Sequence, residues 1–149
     1  MITIIIYELA FLVVVIITFL LPDLFQMPEW YMEKIVPTNS ALIGLLGGIL
    51  YCLRGIYKNR SVNKSWDENW HVWYYLRPFT SSISGFISYV MLSAGLLTLD
   101  AVPGETEFGF YAFAFIAGYN VDKFLQKLED IAKTIWGIDK SRSGNEDNK

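Results

Sequence analysis

With 149 residues, 53% of them hydrophobic, and a net charge of −3, the chain has room for one helical unit with a short polar extension but not for a second globular domain. The acidic balance excludes nucleic acid as a partner, because neutralising phosphates needs a clustered Lys/Arg surface that the sequence lacks. One cysteine, Cys52, excludes an intrachain disulfide and a multi-cysteine metal site.

In chain order, Ile2 to Leu21 comes first, apolar but for Glu8 and followed by Pro22 and Asp23. At about 1.5 Å of rise per residue such a run matches the ~30 Å hydrocarbon core of a bilayer. No basic residue precedes it and no small-residue cleavage site follows, so it is expected to remain as an anchor. A second span is predicted from Ser40 to Tyr57, after the breaker Pro37 and the capping residues Thr38, Asn39 and Ser40. Ser65 and Glu68 have capping-box spacing, and Trp66, Trp70 and Trp73 share one helical face, which predicts an interfacial helix over residues 65–76. A third span is predicted from Phe79 to Leu99, following Arg77 and Pro78. The fourth starts near Phe108 and is apolar for 14 residues to Val121; it is expected to continue out of the bilayer as the same helix. The expected fold is therefore an all-α membrane protein: four transmembrane helices within residues 1–121, a cytosolic amphipathic extension over 122–137 and a disordered tail over 138–149.

Charge sets the orientation. Lys34 is the one basic residue between spans one and two, and none lies between spans three and four. Arg54, Lys58, Arg60, Lys64 and Arg77 surround the loop between spans two and three, and Lys123, Lys127, Lys133, Lys140, Arg142 and Lys149 follow span four. The positive-inside rule puts both of these segments, and both termini, in the cytoplasm. At that depth Glu8, Arg54, Arg77, Asn120 and Asp122 come level, so a polar clasp is expected in which Glu8 pairs with Arg54 or Arg77.

Small residues recur every four positions at Ser40, Gly44, Gly48 and Cys52, and again at Ala114 and Gly118, a spacing that permits close helix approach. Span three carries Ser81, Ser82, Ser84, Gly85, Ser88 and Ser93, a face that either packs or lines a hydrated path. Beyond the spans, Val121, Phe124, Leu125, Leu128, Ile131, Ala132, Ile135 and Trp136 form a heptad-like apolar stripe ending at Gly137, a face suited to oligomerisation. His71 has Asp67 and Glu68 one turn before it, but a carboxylate-bridged di-metal site needs two such pairs, so no metal is expected. The sequence has no phosphate-cradling glycine loop, HExxH or GxSxG, so neither enzyme activity nor a cofactor is expected.

Arg77 and Pro78, with the run from Phe113 through Gly118, Tyr119, Asn120, Lys123, Phe124, Leu128 and Glu129, resemble a group of small, largely uncharacterised bacterial multispan membrane proteins. The resemblance covers the last half of the chain and implies a bacterial inner-membrane protein whose final helix leaves the bilayer as a cytosolic segment. The expected function is an oligomeric membrane protein that forms or regulates a permeability pathway. The alternative is a non-conducting anchor or regulatory subunit that recruits a cytosolic protein partner.

Overall fold

The computed structural model describes residues 2–65, 68–97 and 106–138, and their regular structure is entirely helical. Helix α1 (Ile2–Leu24) runs past the expected stop, with Pro22 in its last turn removing one hydrogen bond without ending the helix. A one-turn helix, α2 (Glu29–Met32), precedes α3 (Ile35–Tyr57). The start of α3 lies earlier than expected because Pro37 falls in the first turn, where an N–H would have no intrahelical partner, and the Thr38 N–H donates to the Lys34 carbonyl at 3.1 Å. Past α3 the chain makes a π turn (Lys58–Val62) and, at Lys64, adopts a φ of 52°.

The interfacial helix expected over 65–76 is not a separate element. A 3₁₀ turn (Glu68–Trp70) leads directly into α4 (His71–Ser93), which carries Arg77 and Pro78 in its interior. Trp66 and Asp67 lie outside the described residues, as does the tail from 139 onward. Helix α4 stops at Ser93, six residues before the predicted end, and Gly95 turns the chain with a φ of 70°.

The expected single helix from span four into the cytosol is corrected at Asn120. Helix α5 (Thr106–Tyr119) and helix α6 (Val121–Trp136) are separate, joined through Asn120 at φ −118° and ψ 52°. Gly137, at φ 68°, closes α6, its N–H donating to the Lys133 carbonyl at 3.0 Å.

Helix α3 is central, packing on α4 and α5 and, less extensively, on α1. Asn39 meets Tyr111 and Arg54 meets Tyr119, so α3 and α5 run in the same direction. Gly44 lies against Gly85, and Gly55 against Tyr74, so α4 runs the other way. Helix α1 runs alongside α4, Tyr7 Oη donating to the Tyr75 carbonyl at 3.0 Å and Phe11 meeting Phe79 edge to face.

The three inner helices touch main chain to main chain. A Cβ on Gly44 would stand 2.6 Å from the Ser81 carbonyl oxygen and 2.7 Å from Gly85 Cα; one on Gly118 would collide with the Gly44 backbone. Ser40, Ala114, Ser81, Ser84 and Ser88 are also buried, whereas Cys52, on the same small-residue spacing, is buried in a cluster with Ile4, Ile56 and Tyr74. Ser81 Oγ donates to the Gly118 carbonyl at 2.8 Å and Ser88 Oγ to the Gly85 carbonyl at 2.7 Å, so the serine face of α4 is turned into the helix contacts.

Replacing Gly44 or Gly118 by Ala forces backbone against backbone and is expected to cost at least roughly 3 kcal/mol. Gly95→Ala meets nothing within 4 Å and is expected to cost about 1–2 kcal/mol through its positive φ. Unfolding of the three variants in detergent measures the difference; equal losses would contradict the close contact.

Candidate functional site

Arg77 lies one turn before Ser81 on α4, and the Gly48–Ser81 and Gly44–Gly118 contacts carry it to the joint between α5 and α6. Its side chain is 3% exposed. Nη2 donates to the Tyr119 carbonyl at 3.1 Å, satisfying the C-terminal end of α5, where the helix dipole is negative. Nη1 donates to Asp122 Oδ2 at 3.1 Å, in the first turn of α6. The guanidinium lies 4.6 Å from the Tyr51 ring centroid and 5.0 Å from that of Trp73, two adjacent rings that replace part of its lost hydration. Arg54 completes the joint from α3, donating to Tyr119 Oη at 2.6 Å. Asn120 makes no side-chain cap bond and contributes the backbone break.

The expected pairing of Glu8 with Arg54 or Arg77 does not form. Both guanidinium groups are taken up by the α5–α6 joint, while Glu8, level with Cys52, is fully buried with neither carboxyl oxygen hydrogen-bonded. The polar group beside it is the Cys52 thiol, a weak donor. An unsatisfied buried carboxyl is a local cost carried by the α1–α3 contact.

On the other side of the Tyr51–Trp73 wall is a cleft of about 280 Å³ between the end of α3 and the start of α4. Arg54, Lys58 and Asn59 supply its polar groups, Trp70 and Tyr74 complete its aromatic wall, and Gly55 leaves room beneath them. Trp70 and Trp73, expected at a membrane interface, meet edge to face at 6.3 Å between centroids. Tyr51 and Tyr74 were not among the site residues expected from the sequence, and Tyr119 was named there only in the resemblance. The available signal was Tyr51, Arg54, Gly55 and Lys58 at offsets 0, 3, 4 and 7, which puts an aromatic and two cations on one face of α3.

The apolar stripe of α6 divides in two. Val121 and Phe124, expected to serve oligomerisation, are buried within the chain, because the break at Asn120 turns the first turn of α6 onto its neighbours and brings Phe124 to 6.2 Å from Phe113. Leu125 and Ile135 remain exposed, with Leu128 and Ile131 partly so.

Arg77→Gln is expected to cost about 3 kcal/mol, since it uncaps α5 and strips a buried site of its charge. Asp122, 70% exposed, is expected to lose less than about 1 kcal/mol when changed to Asn. Glu8→Met, which removes the unpartnered carboxyl at similar volume, is expected to stabilise the fold by about 1–2 kcal/mol. Unfolding of each variant in the same detergent is the measurement, and a destabilised Glu8→Met would mean that the carboxyl has a partner in the folded protein. Comparison of the chain with known proteins finds no matching family model, no matching curated protein and no matching solved structure.

Proposed function

We infer that the protein is a four-span membrane protein with a closed, non-conducting helical core, which acts as an anchor or regulatory subunit and assembles through α6. The observation that carries membrane embedding is an inside-out distribution of side chains. Ser40, Ser81, Ser84, Ser88 and Arg77 are buried, while Ile6, Val13, Ile17, Phe79, Ile83 and Phe86 face outward. In water that arrangement would leave extensive apolar surface wet. In a bilayer, where the tails are as apolar as leucine, helices associate through small residues and hydrogen bonds instead.

Two helices, Ile2–Pro22 and Ile35–Val62, are long and apolar enough to cross a membrane by themselves. For α4 the support is directional. Val72, Leu76, Phe79, Ile83, Phe86 and Val90 are all exposed and form one outward stripe, whose length of about 27 Å is close to the hydrocarbon thickness. Ser81, Ser84, Ser88 and Arg77 point inward, so its average composition understates how apolar its outer face is. Helix α5, at 14 residues, is only about 21 Å long and relies on its contacts with α3 and α4 to remain at depth. The basic segments after α3 and along α6 then face the cytoplasm.

A non-conducting role is favoured over a pore because the polar groups that could line a path are used in packing. A path between copies would be walled by the outward Ile, Leu, Val and Phe side chains. Assembly through α6 is supported by the exposed Leu125 and Ile135 and the partly exposed Leu128 and Ile131, on a helix whose polar face carries charges of both signs. The partner that fits such a stripe is the same helix of a second copy.

The expected result in liposomes is ion flux no greater than in protein-free vesicles, together with a homo-oligomer released from nanodiscs in native mass spectrometry that dissociates when Leu125 and Leu128 are changed to Ser. Flux above the control would restore the channel-like function, and a monomer before mutation would remove α6 as the assembly contact.

A further inference from the structure

We propose that the cleft between α3 and α4 binds the phosphate of an anionic phospholipid headgroup. The proposal rests on the membrane embedding inferred above and assigns a ligand to a site that the assembly function does not use. The chemistry is that of a phosphate diester: a single delocalised negative charge attached to an apolar body.

Arg54, in the last turn of α3, and Lys58, one turn later at the start of the π turn, reach the same cleft, with the Asn59 carboxamide beside them as a neutral donor. The Arg77 guanidinium stands against Tyr51 and Trp73, two of the rings that line the cleft, and adds a third positive charge close by. Its Nε is buried without a hydrogen-bond partner. Asp122 answers one of these three charges, through its bond to Arg77. No carboxylate lines the cleft among the described residues. Basic pockets between helices on the cytoplasmic side of a membrane are the setting in which acidic lipid headgroups are held.

The aromatic walls favour a lipid over a free anion. Tyr51, Trp70 and Trp73 offer ring faces and edges suited to the glycerol region, where indoles settle in a bilayer. The cleft sits at the start of α4, between its aromatic face and the end of α3. Gly55 keeps the space open, since a Cβ there would stand 3.0 Å from the Tyr74 hydroxyl.

The test uses the full chain reconstituted in nanodiscs of phosphatidylcholine with a minor fraction of phosphatidylglycerol, released for native mass spectrometry. The expected result is one retained phosphatidylglycerol per chain in preference to phosphatidylcholine. Retention is expected to fall about fivefold in Lys58→Gln and about thirtyfold in the double variant Arg54→Gln/Lys58→Gln. Lys127→Gln, on α6, serves as the charge-matched control and is expected to retain the lipid fully. Because Arg54 also bonds Tyr119, unfolding curves accompany the double variant, and Lys58→Gln alone decides the matter if it fails to fold. Inorganic phosphate and glycerol 3-phosphate, added to phosphatidylcholine nanodiscs while Trp emission is followed, separate the two sources of phosphate. Saturation by either at millimolar concentration would assign the cleft to a soluble anion and overturn the lipid. Equal retention of both lipids, or full retention in Lys58→Gln, would overturn the site while leaving membrane embedding intact. Failure of the chain to enter nanodiscs at all would overturn both.

Discussion

Where Gly44, Gly85 and Gly118 bring three backbones together, no side chain separates the helices, and this contact fixes the rest of the geometry. Ordinary helix pairs stand 8–10 Å apart, a distance at which Ser81 would not need to bond the facing main chain. Here it does, through the Gly118 carbonyl. With Gly118 seated on Gly44, the next residue, Tyr119, presents its carbonyl to Arg77 and its hydroxyl to Arg54. The start of α6 therefore follows from a glycine contact on the other side of the residue that ends α5.

Arg77 shows how a buried charge is kept in such a setting. No single partner neutralises it, because Asp122 is largely in solvent and screened. Instead it is held by two ring faces, a helix end and one carboxylate acting together. The same two rings wall the cleft that faces Arg54 and Lys58. The joint that sets the direction of α6 and the proposed headgroup site thus share the side chains of Tyr51 and Trp73.

The helical class and the small-residue positions were legible because both are periodic: Ser40, Gly44, Gly48 and Cys52 fall on one face by spacing alone. Boundaries at prolines were misread, since Pro22 and Pro78 lie inside helices that continue despite a lost hydrogen bond, and Pro37 lies in the first turn of α3, where none is lost. The Glu8 pairing was inferred from equal depth, but depth says nothing about azimuth, and Arg77 faces α5 and α6 while Glu8 faces Cys52. The break at Asn120 could not be read at all from hydropathy, because the apolar pattern passes through it without interruption from Ala117 to Val121 and Phe124. The cleft needed two helices to be seen, its cations coming from α3 and much of its aromatic wall from α4.

On the proposed membrane embedding, the two-faced composition of α4 bears on how the chain would be inserted during synthesis. A segment carrying buried serines and an arginine on one side and Phe79, Ile83 and Phe86 on the other partitions poorly into lipid by itself. Gly44 and Gly48 offer its polar side a backbone groove, but Ser81 and Arg77 find their partners only on α5 and the start of α6. On that embedding, α3 would offer the groove and α5 the polar partners, so that α4 would become soluble in the bilayer only as part of the three-helix unit and not in its turn along the chain.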